Sequence, residues 1–183
     1  MTIVEQVFAP VYGKPCWYVR EGHGSMLTME FGAPHLEVRE PYPSQSSSAE
    51  LRAMARRRAV HPRGEWHLWV YLGAWHYFMH GRKVGDWFTK GRMRRALRSI
   101  DGQALSKVHV APTDGRSVLE FDLGGRLEIE HIRYRNDAAG EFNELWHLYE
   151  PDGRVFSMRG DGRYAHAPGD SNPDEAIWMQ LPP

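Results

Sequence analysis

A single cysteine, Cys16, is present among the 183 residues, so the chain can form neither an internal disulfide nor a zinc site that needs several cysteines. The amino terminus lacks the basic segment and following apolar segment of a secretory signal peptide. No run approaches the ~20 apolar residues that a membrane-spanning helix needs. These absences predict a cytoplasmic protein of a reducing compartment, with no membrane partner.

A net charge of either sign is absent as well, because 23 Lys and Arg balance 23 Asp and Glu. A neutral molecule has no overall electrostatic attraction for nucleic acid or a membrane. The charge is uneven along the chain, however: residues 82–98 hold seven basic side chains against one acid, and residues 137–183 hold nine acids against three arginines. Two interpretations are open, that these segments face each other or that they form two separate surfaces.

Strand patterns predominate over helical ones. Short alternating segments between glycine and proline turns predict an antiparallel meander. A short helix is expected through Leu51, Met54 and Ala55, ending before Pro62, and a second one over about residues 89–100. The expected fold class is therefore α+β, a twisted antiparallel sheet or partly closed β-barrel with one or two short helices. Residues 1–183 are expected to form a single domain, with a linker-like segment at 40–49 and a polar tail at 168–183.

Two local patterns carry sharper predictions. Ser47 and Glu50 have the spacing of a capping box, which would open the first of these helices. Leu36 and Val38 alternate with charged side chains in the strand before it. This alternation predicts that both apolar side chains face the core.

The most informative segment is residues 63–78, which its pattern predicts to be one long strand. A half-buried strand alternates apolar with polar side chains, whereas this one alternates aliphatic with aromatic ones, so both faces need a cover of protein or ligand. Gly73 could seat a bulge that exchanges the faces. Either a helix buries the aromatic face or a partner binds it, since exposed Trp and Tyr are enriched in binding hot spots. The predicted partner-binding residues are Trp69, Tyr71, Trp75 and Tyr77.

Three short runs carry a resemblance. Residues 101–108 (DGQALSKV), 119–127 (LEFDLGGRL) and 64–69 (GEWHLW) resemble a pattern found in a family of small uncharacterised bacterial β-rich domains. The likeness covers roughly residues 60–165. It implies a bacterial β-rich domain and brings no activity or catalytic residues with it.

Catalytic signatures are few. The run Gly22-His23-Gly24-Ser25 lacks the Gly-x-Ser-x-Gly elbow and fits a turn between strands. Ten histidines allow a metal site, and neutral imidazoles with a carboxylate can hold zinc for a metal-assisted hydrolase. The competing interpretation is a set of isolated histidines half-buried among aromatics, because no compact ligand spacing such as His-x-His occurs. The predicted ligands are Glu65, His67 and His147.

The basic segment at residues 82–98 is the best argument for nucleic acid, because cations on a helix neutralise phosphates and aromatic side chains can stack on bases. The candidate residues are Lys90, Arg92, Arg94, Arg95 and Arg98. Weighing these signals, we expect a non-catalytic bacterial protein-binding module, of immunity or accessory type, that needs no cofactor and binds a protein partner through the aromatic surface. The alternatives are a nucleic-acid-binding protein and a metal-assisted hydrolase.

Overall fold

The computed structural model describes residues 1–22, 26–132, 142–172 and 175–182. It is 46% strand and has three short helices and antiparallel sheets, none of them closed within these ranges. The prediction of an antiparallel, β-rich fold with short helices is confirmed, although the helices number three rather than one or two. The expected turn at residues 23–25 and three acids of the carboxyl-terminal segment lie outside the described residues: Asp137, Glu141 and Asp174.

The elements follow one another in chain order. The helices are α1 (Ile3–Phe8), α2 (Ala49–Ala55) and α3 (Lys90–Ile100). The strands are β1 (Cys16–Glu21), β2 (Leu27–Phe31), β3 (His35–Arg39), β4 (Ala59–Arg63), β5 (Trp66–Val70), β6 (Gly73–Met79), β7 (Arg82–Asp86), β8 (Leu105–Val110), β9 (Ser117–Phe121), β10 (Gly125–His131), β11 (Glu144–Tyr149), β12 (Arg154–Arg159), β13 (Arg163–Pro168) and β14 (Met179–Gln180).

The strands form a seven-stranded sheet (β1-β2-β5-β11-β12-β13-β14), a five-stranded sheet (β7-β6-β10-β9-β8) and a two-stranded ribbon (β3-β4). The apolar side chains of the two larger sheets form one continuous core, to which α1 and α3 add Phe8 and Ile100. Phe8 meets Trp146 of β11 edge to face, with ring centroids 5.7 Å apart. The core therefore occupies one face of the seven-stranded sheet and leaves its other face, the outer face, for other contacts.

Helix α1 was absent from the sequence-based prediction, although its signal was present. The Thr2 side chain accepts a hydrogen bond from the Glu5 N–H at 3.2 Å, and the Glu5 carboxylate accepts one from the Thr2 N–H at 2.8 Å. This reciprocal capping box satisfies two of the unpaired amides at the start of a helix. It allows a helix of only 6 residues to form over the core edge and bury Val4, Val7 and Phe8.

The single aromatic strand predicted at residues 63–78 is two strands, β5 and β6, in different sheets. The chain changes sheet at Tyr71 and Leu72, whose amides bond to carbonyls of β11 at 2.9 and 3.2 Å. A Cβ on Gly73 would lie 2.5 Å from the side chain of Ile129, so the crossing depends on glycine. The predicted exchange of faces at Gly73 is thus present, but as a change of sheet.

Two strands of the large sheet continue into a separate ribbon. Strands β2 and β5 bend at Gly32 and Gly64, and beyond the bend β3 pairs with β4. We call β3, β4 and the connection between them, residues 35–63, the arm. A Cβ on Gly64 would lie 2.4 Å from the Phe31 carbonyl, and Gly32 has φ +79°, so both strands need glycine to bend here.

The arm corrects two local predictions. Leu36 and Val38 are 70% and 52% exposed rather than part of the core. The ribbon lies outside the sandwich formed by the two larger sheets, so this face is turned to solvent. The cap of α2 is Ser48 instead of Ser47, since the Ser48 hydroxyl accepts from the Leu51 N–H. The linker-like segment leads into this helix, and the polar tail ends in β14, beside which Leu181 is buried.

Candidate functional site

The ladder of the seven-stranded sheet places polar and aromatic side chains side by side on its outer face. Glu30 lies directly opposite His67, and Thr28 opposite Trp69. On the other side of β5, His67 lies opposite Tyr149 and Trp69 opposite His147. Directly opposed residues share a face of a sheet, so three adjacent strands contribute one continuous patch.

A cleft of about 930 Å³ separates this patch from the arm. The arm supplies one wall with the polar side of its ribbon, and its apolar side, which carries Leu36 and Val38, points away. β1, β2, β5 and the β11–β12 turn supply the opposite wall. The side chains that line the cleft as a whole include Arg20, Glu21, Met26, Thr28, His35, Glu37, Arg39, Arg63, Glu65, His67, Trp69, Tyr149 and Glu150.

A buried carboxylate organises the end of the cleft nearest the bend. Glu30 is fully buried; it accepts from the Gly64 N–H at 3.0 Å and contacts His67 Nδ1 at 2.8 Å. Arg63 of the arm reaches the same carboxylate at 3.3 Å and donates to Glu37, on the neighbouring strand of the arm, at 2.6 Å. The arm is therefore tied to the sheet by a network of charged side chains.

The partners of this network determine its charge state. Burial alone would raise the pKa of the Glu30 carboxyl, but the hydrogen bond and charge of His67, with Gly64 and Arg63, hold that pKa below its ordinary value. The bond from Arg63 likewise lowers the pKa of Glu37. Both carboxyls are therefore ionised at neutral pH, and Arg63 is paired with two negative charges, so it is not a free cation at this end of the cleft.

Trp69 provides the aromatic surface of the cleft. It is half-buried, and its ring is held between Tyr71 and His147, at centroid distances of 4.7 and 5.7 Å. A ring that neighbours hold in place loses little conformational entropy when a ligand packs on it. Trp69 is thus a preformed platform for an apolar or planar group.

His147 lies behind this platform and is itself nearly buried. Its Nδ1 lies 2.9 Å from the Ser157 hydroxyl and its Nε2 3.4 Å from the Glu144 carboxylate. Burial, with a smaller contribution from the charge of His67, lowers the pKa of His147 to about 4. The ring is neutral at pH 7 and is a weak base, and neither His147 nor Ser157 lines the cleft.

The four predicted partner-binding residues are divided between two environments. Trp69 and Tyr71 lie on the outer face, half-buried. Trp75 and Tyr77 are fully buried between the sheets, because β6 presents them to the core opposite Ile129 and Leu127. The aromatic residues therefore do not form one surface, since the chain changes sheet between the two pairs.

The three predicted metal ligands are not gathered into a site. The Glu65 carboxylate accepts from the Ala33 N–H at 3.0 Å at the bend, while His67 is bonded to Glu30 and His147 to Ser157. Among the described residues there is no group of three or more His, Cys, Asp or Glu side chains that could hold a metal ion. Each of the two histidines packs against an aromatic ring instead, His67 against Tyr149 and His147 against Trp69.

The basic segment at residues 82–98 is partly strand, because residues 82–86 form β7 and the helix begins at Lys90. Arg92 lies 3.7 Å from the buried Asp86 carboxylate. Helix α3 packs on β1, β6 and β7, and within the described ranges no ion pair joins it to the acidic carboxyl-terminal segment. The remaining candidate cations are exposed on α3: Lys90, Arg94, Arg95 and Arg98.

Several residues that build the cleft were not singled out from the sequence. Glu30 alternates with Met29 and Phe31, a pattern that predicts a solvated side chain. Its burial follows from the arm and from the pairing of β2 with β5, neither of which has a local signal. Glycine at both 32 and 64 was the available sign of the bend, since glycine inside a strand pattern marks a kink or close approach.

No protein-family model, curated protein or solved structure matches the chain. The resemblance of residues 60–165 to a bacterial β-rich family therefore stays a prediction. In the described part of the chain the longest helix has 11 residues, and none could span a lipid bilayer.

Proposed function

We propose that this protein is a non-catalytic binding protein whose cleft holds a small organic ligand, with Trp69 as its main apolar contact. The observation that carries the proposal is the cleft between the arm and the outer face, whose volume of about 930 Å³ lies in the range of small-molecule sites. Such sites combine an apolar surface with a few placed polar groups. Here Trp69 and Tyr149 supply the apolar surface, and charged side chains on both walls supply the polar groups.

The hydrogen bonding of the lining side chains supports binding over catalysis. His67, the natural candidate for an acid or base, has Glu30 at its Nδ1 and Arg63 3.0 Å from its Nε2, so both ring nitrogens are occupied. Glu65 is bonded to the Ala33 amide. Glu150 contacts His166 at 2.5 Å. These groups stabilise the walls, so a ligand would find a shaped and largely satisfied surface.

A protein partner, the expectation drawn from the sequence, would use the same anchor. Trp and Tyr are enriched among the residues that dominate binding energy, and Trp69 and Tyr71 are both half-buried on the outer face. Such a partner would have to insert a side chain beneath the arm to reach Trp69. The cleft is therefore the shared site of both hypotheses, and we favour the small ligand because the arm and the sheet form two walls around Trp69.

The test is a thermal-shift screen with aromatic and aliphatic carboxylic acids, amines and nucleotides. A ligand at 100 times its Kd stabilises the folded state by about 2.7 kcal/mol, which raises Tm by several degrees. We expect at least one class to raise the Tm of the native protein but not of Trp69→Ala. Trp178→Ala is the matched control, since Trp178 stacks on Arg159 outside the cleft. A screen without any shift, or shifts retained in Trp69→Ala, would contradict the proposal.

A second candidate function, nucleic-acid binding by α3, is favoured by one observation. Arg94, Arg95 and Arg98 are exposed and form no ion pair with a carboxylate among the described residues. Phe88, directly before the helix, is 64% exposed. Unneutralised cations beside an exposed aromatic ring match the combination that single-stranded nucleic acid requires.

For this candidate we expect a labelled single-stranded oligonucleotide to bind with an affinity that falls steeply with salt. Each phosphate contact contributes about 0.7 to the slope of log K against log salt, so Glu at positions 94, 95 and 98 should reduce the slope by about 2. Fluorescence anisotropy at a series of salt concentrations measures this slope. The control combines Arg56→Glu, Arg57→Glu and Arg116→Glu, three exposed arginines outside α3 that give an equal change in charge. Equal loss in both variants would indicate only a response to net charge.

A further inference from the structure

The positive charge of the cleft is distributed unevenly. Near the bend, Arg63 is paired with Glu30 and Glu37. Further from the bend, Arg20 of β1 and Arg39 of the arm also line the cleft. Neither of these two forms an ion pair with a carboxylate among the described residues; Arg20 contacts the Tyr18 ring and hydroxyl, and Arg39 the Tyr42 ring.

The position of Arg20 follows from the ladder. It lies opposite Thr28, three residues from the bend end of β2, and so shares the outer face with Thr28 and Trp69. The Thr28 hydroxyl is itself buried and inaccessible from the cleft. An unneutralised cation beside an aromatic ring therefore identifies this end of the cleft as the part that can bind a negatively charged group.

A second concavity extends the positive region beyond the cleft. A shallow groove of about 230 Å³ runs between β1 and α3, and Arg20 and Glu21 line both it and the cleft. The groove adds Arg94 and Arg98, with Asp101 as the opposing acid. Three arginines against Glu21 and Asp101 leave this junction with an excess of positive charge.

We propose that the ligand of the cleft is a planar aromatic molecule with a negatively charged group, its ring packed on Trp69 and its charge held at Arg20. This inference rests on the proposed function and specifies its ligand. An arginine binds a carboxylate, sulfonate or phosphate through two parallel hydrogen bonds. An aromatic cation or a neutral aromatic would leave Arg20 unpaired, while an aliphatic anion would not use Trp69.

The experiment compares 2-naphthoate with the nearly isosteric, uncharged 2-naphthamide by isothermal titration calorimetry. We expect the native protein to bind naphthoate about tenfold or more tightly than naphthamide, because a hydrogen bond to a charged group contributes more than one to a neutral group. Arg20→Gln should abolish this preference, so that the variant binds naphthoate and naphthamide with equal affinity. Arg95→Gln is the matched control: Arg95 is exposed on α3 and lines neither concavity.

The outcomes distinguish a failure of the proposed ligand class from a failure of the proposed function, which is that the cleft binds a ligand. Equal affinities for the two probes in the native protein, or a preference that survives Arg20→Gln, would overturn the ligand class while the cleft remains a binding site. Binding that Trp69→Ala leaves unchanged, or no binding of either probe, would overturn the cleft as an aromatic site and the inference with it. Circular dichroism of each variant verifies that it is folded.

Discussion

At the scale of single residues, two histidines on one face of the sheet have opposite roles. His67 is bonded to the buried Glu30 carboxylate, which Arg63 also contacts. His147, 8% exposed, has a hydroxyl as its nearest hydrogen-bonding partner, and burial disfavours its charged form. The difference arises because β2 presents Glu30 to the first ring, whereas β12 presents Ser157 to the second.

His147 predicts a loss of stability in mild acid. Its pKa falls from the usual 6.5 to about 4 on folding, so the unfolded chain takes up the proton first. The stability that its neutral form contributes is fully present above pH 6.5 and is lost as the pH falls towards 4, by roughly 3 kcal/mol in all. Urea unfolding at a series of pH values measures this.

The control for this prediction is His147→Gln, which retains a hydrogen-bonding group but cannot be protonated. Its stability should change little between pH 6.5 and 5. Glu30 and Asp161, whose pKa values are lowered on folding, lose their contributions only at lower pH, below their usual 4.5 and 3.8. A slope between pH 6.5 and 5 that is equal in both proteins would show that His147 is not its source.

At the scale of elements, the bend between sheet and arm is a fixed structure. The Gly32 carbonyl accepts from the Trp17 indole at 3.0 Å, the Gly64 amide donates to Glu30, and Glu65 holds the Ala33 amide. An isolated two-stranded ribbon is at best marginally stable in water. These bonds, with the Arg63 network, keep the arm in place.

The bend predicts unequal effects of two glycine substitutions. Gly64→Ala places a Cβ 2.4 Å from the Phe31 carbonyl, and such overpacking costs about 1–3 kcal/mol. Gly91→Ala, in the exposed first turn of α3 with no atom within 4 Å, should be neutral or stabilising by up to about 1 kcal/mol. Thermal unfolding compares them, at about 2–4 °C per kcal/mol. A Tm of Gly64→Ala equal to that of the native protein would contradict a glycine-dependent bend.

Many of the strands and helix ends could be predicted from the sequence. Period-two patterns predicted β2, β9 and β10 with their inward side chains, and Asp101-Gly102 marked the end of α3, with Gly102 at φ +89°. The prediction was wrong at Gly73, where the chain passes from one sheet to the other, and at residues 35–63, where the arm leaves the core. Both depend on which strands pair, and pairing is set by contacts distant in sequence. The cleft, built wholly from such contacts, could not be predicted.

At the scale of the whole molecule, the arm is the part of the described chain most open to proteolysis. Arg56, Arg57 and Arg58 follow α2 and are exposed, and the connection before α2 has no regular structure. The arginines of α3 are in a helix whose other face is buried in the core, so their backbone is protected. Proteolysis requires local opening, which costs least where few apolar contacts must break.

We therefore expect brief trypsin treatment to cleave first at residues 56–58 and to give two fragments that stay together. β2 of one fragment is paired with β5 of the other inside the seven-stranded sheet, so the sandwich holds them. Mass spectrometry and size-exclusion chromatography detect the cut and the retained complex. Replacement of the three arginines by Gln should delay cleavage. An initial cut within α3, or fragments that separate, would contradict this description.

The bend also makes the arm an exchangeable cassette. Residues 35–63 leave and re-enter the sheet at one place, because His35 and Arg63 are directly opposed at the base of the ribbon. Everything that the arm contributes to the cleft lies in this contiguous stretch, while the sandwich core lies outside it. Recombination or design could thus replace the wall of the cleft that the arm supplies in a single step. One stable scaffold could then acquire new ligands without a change in its interior.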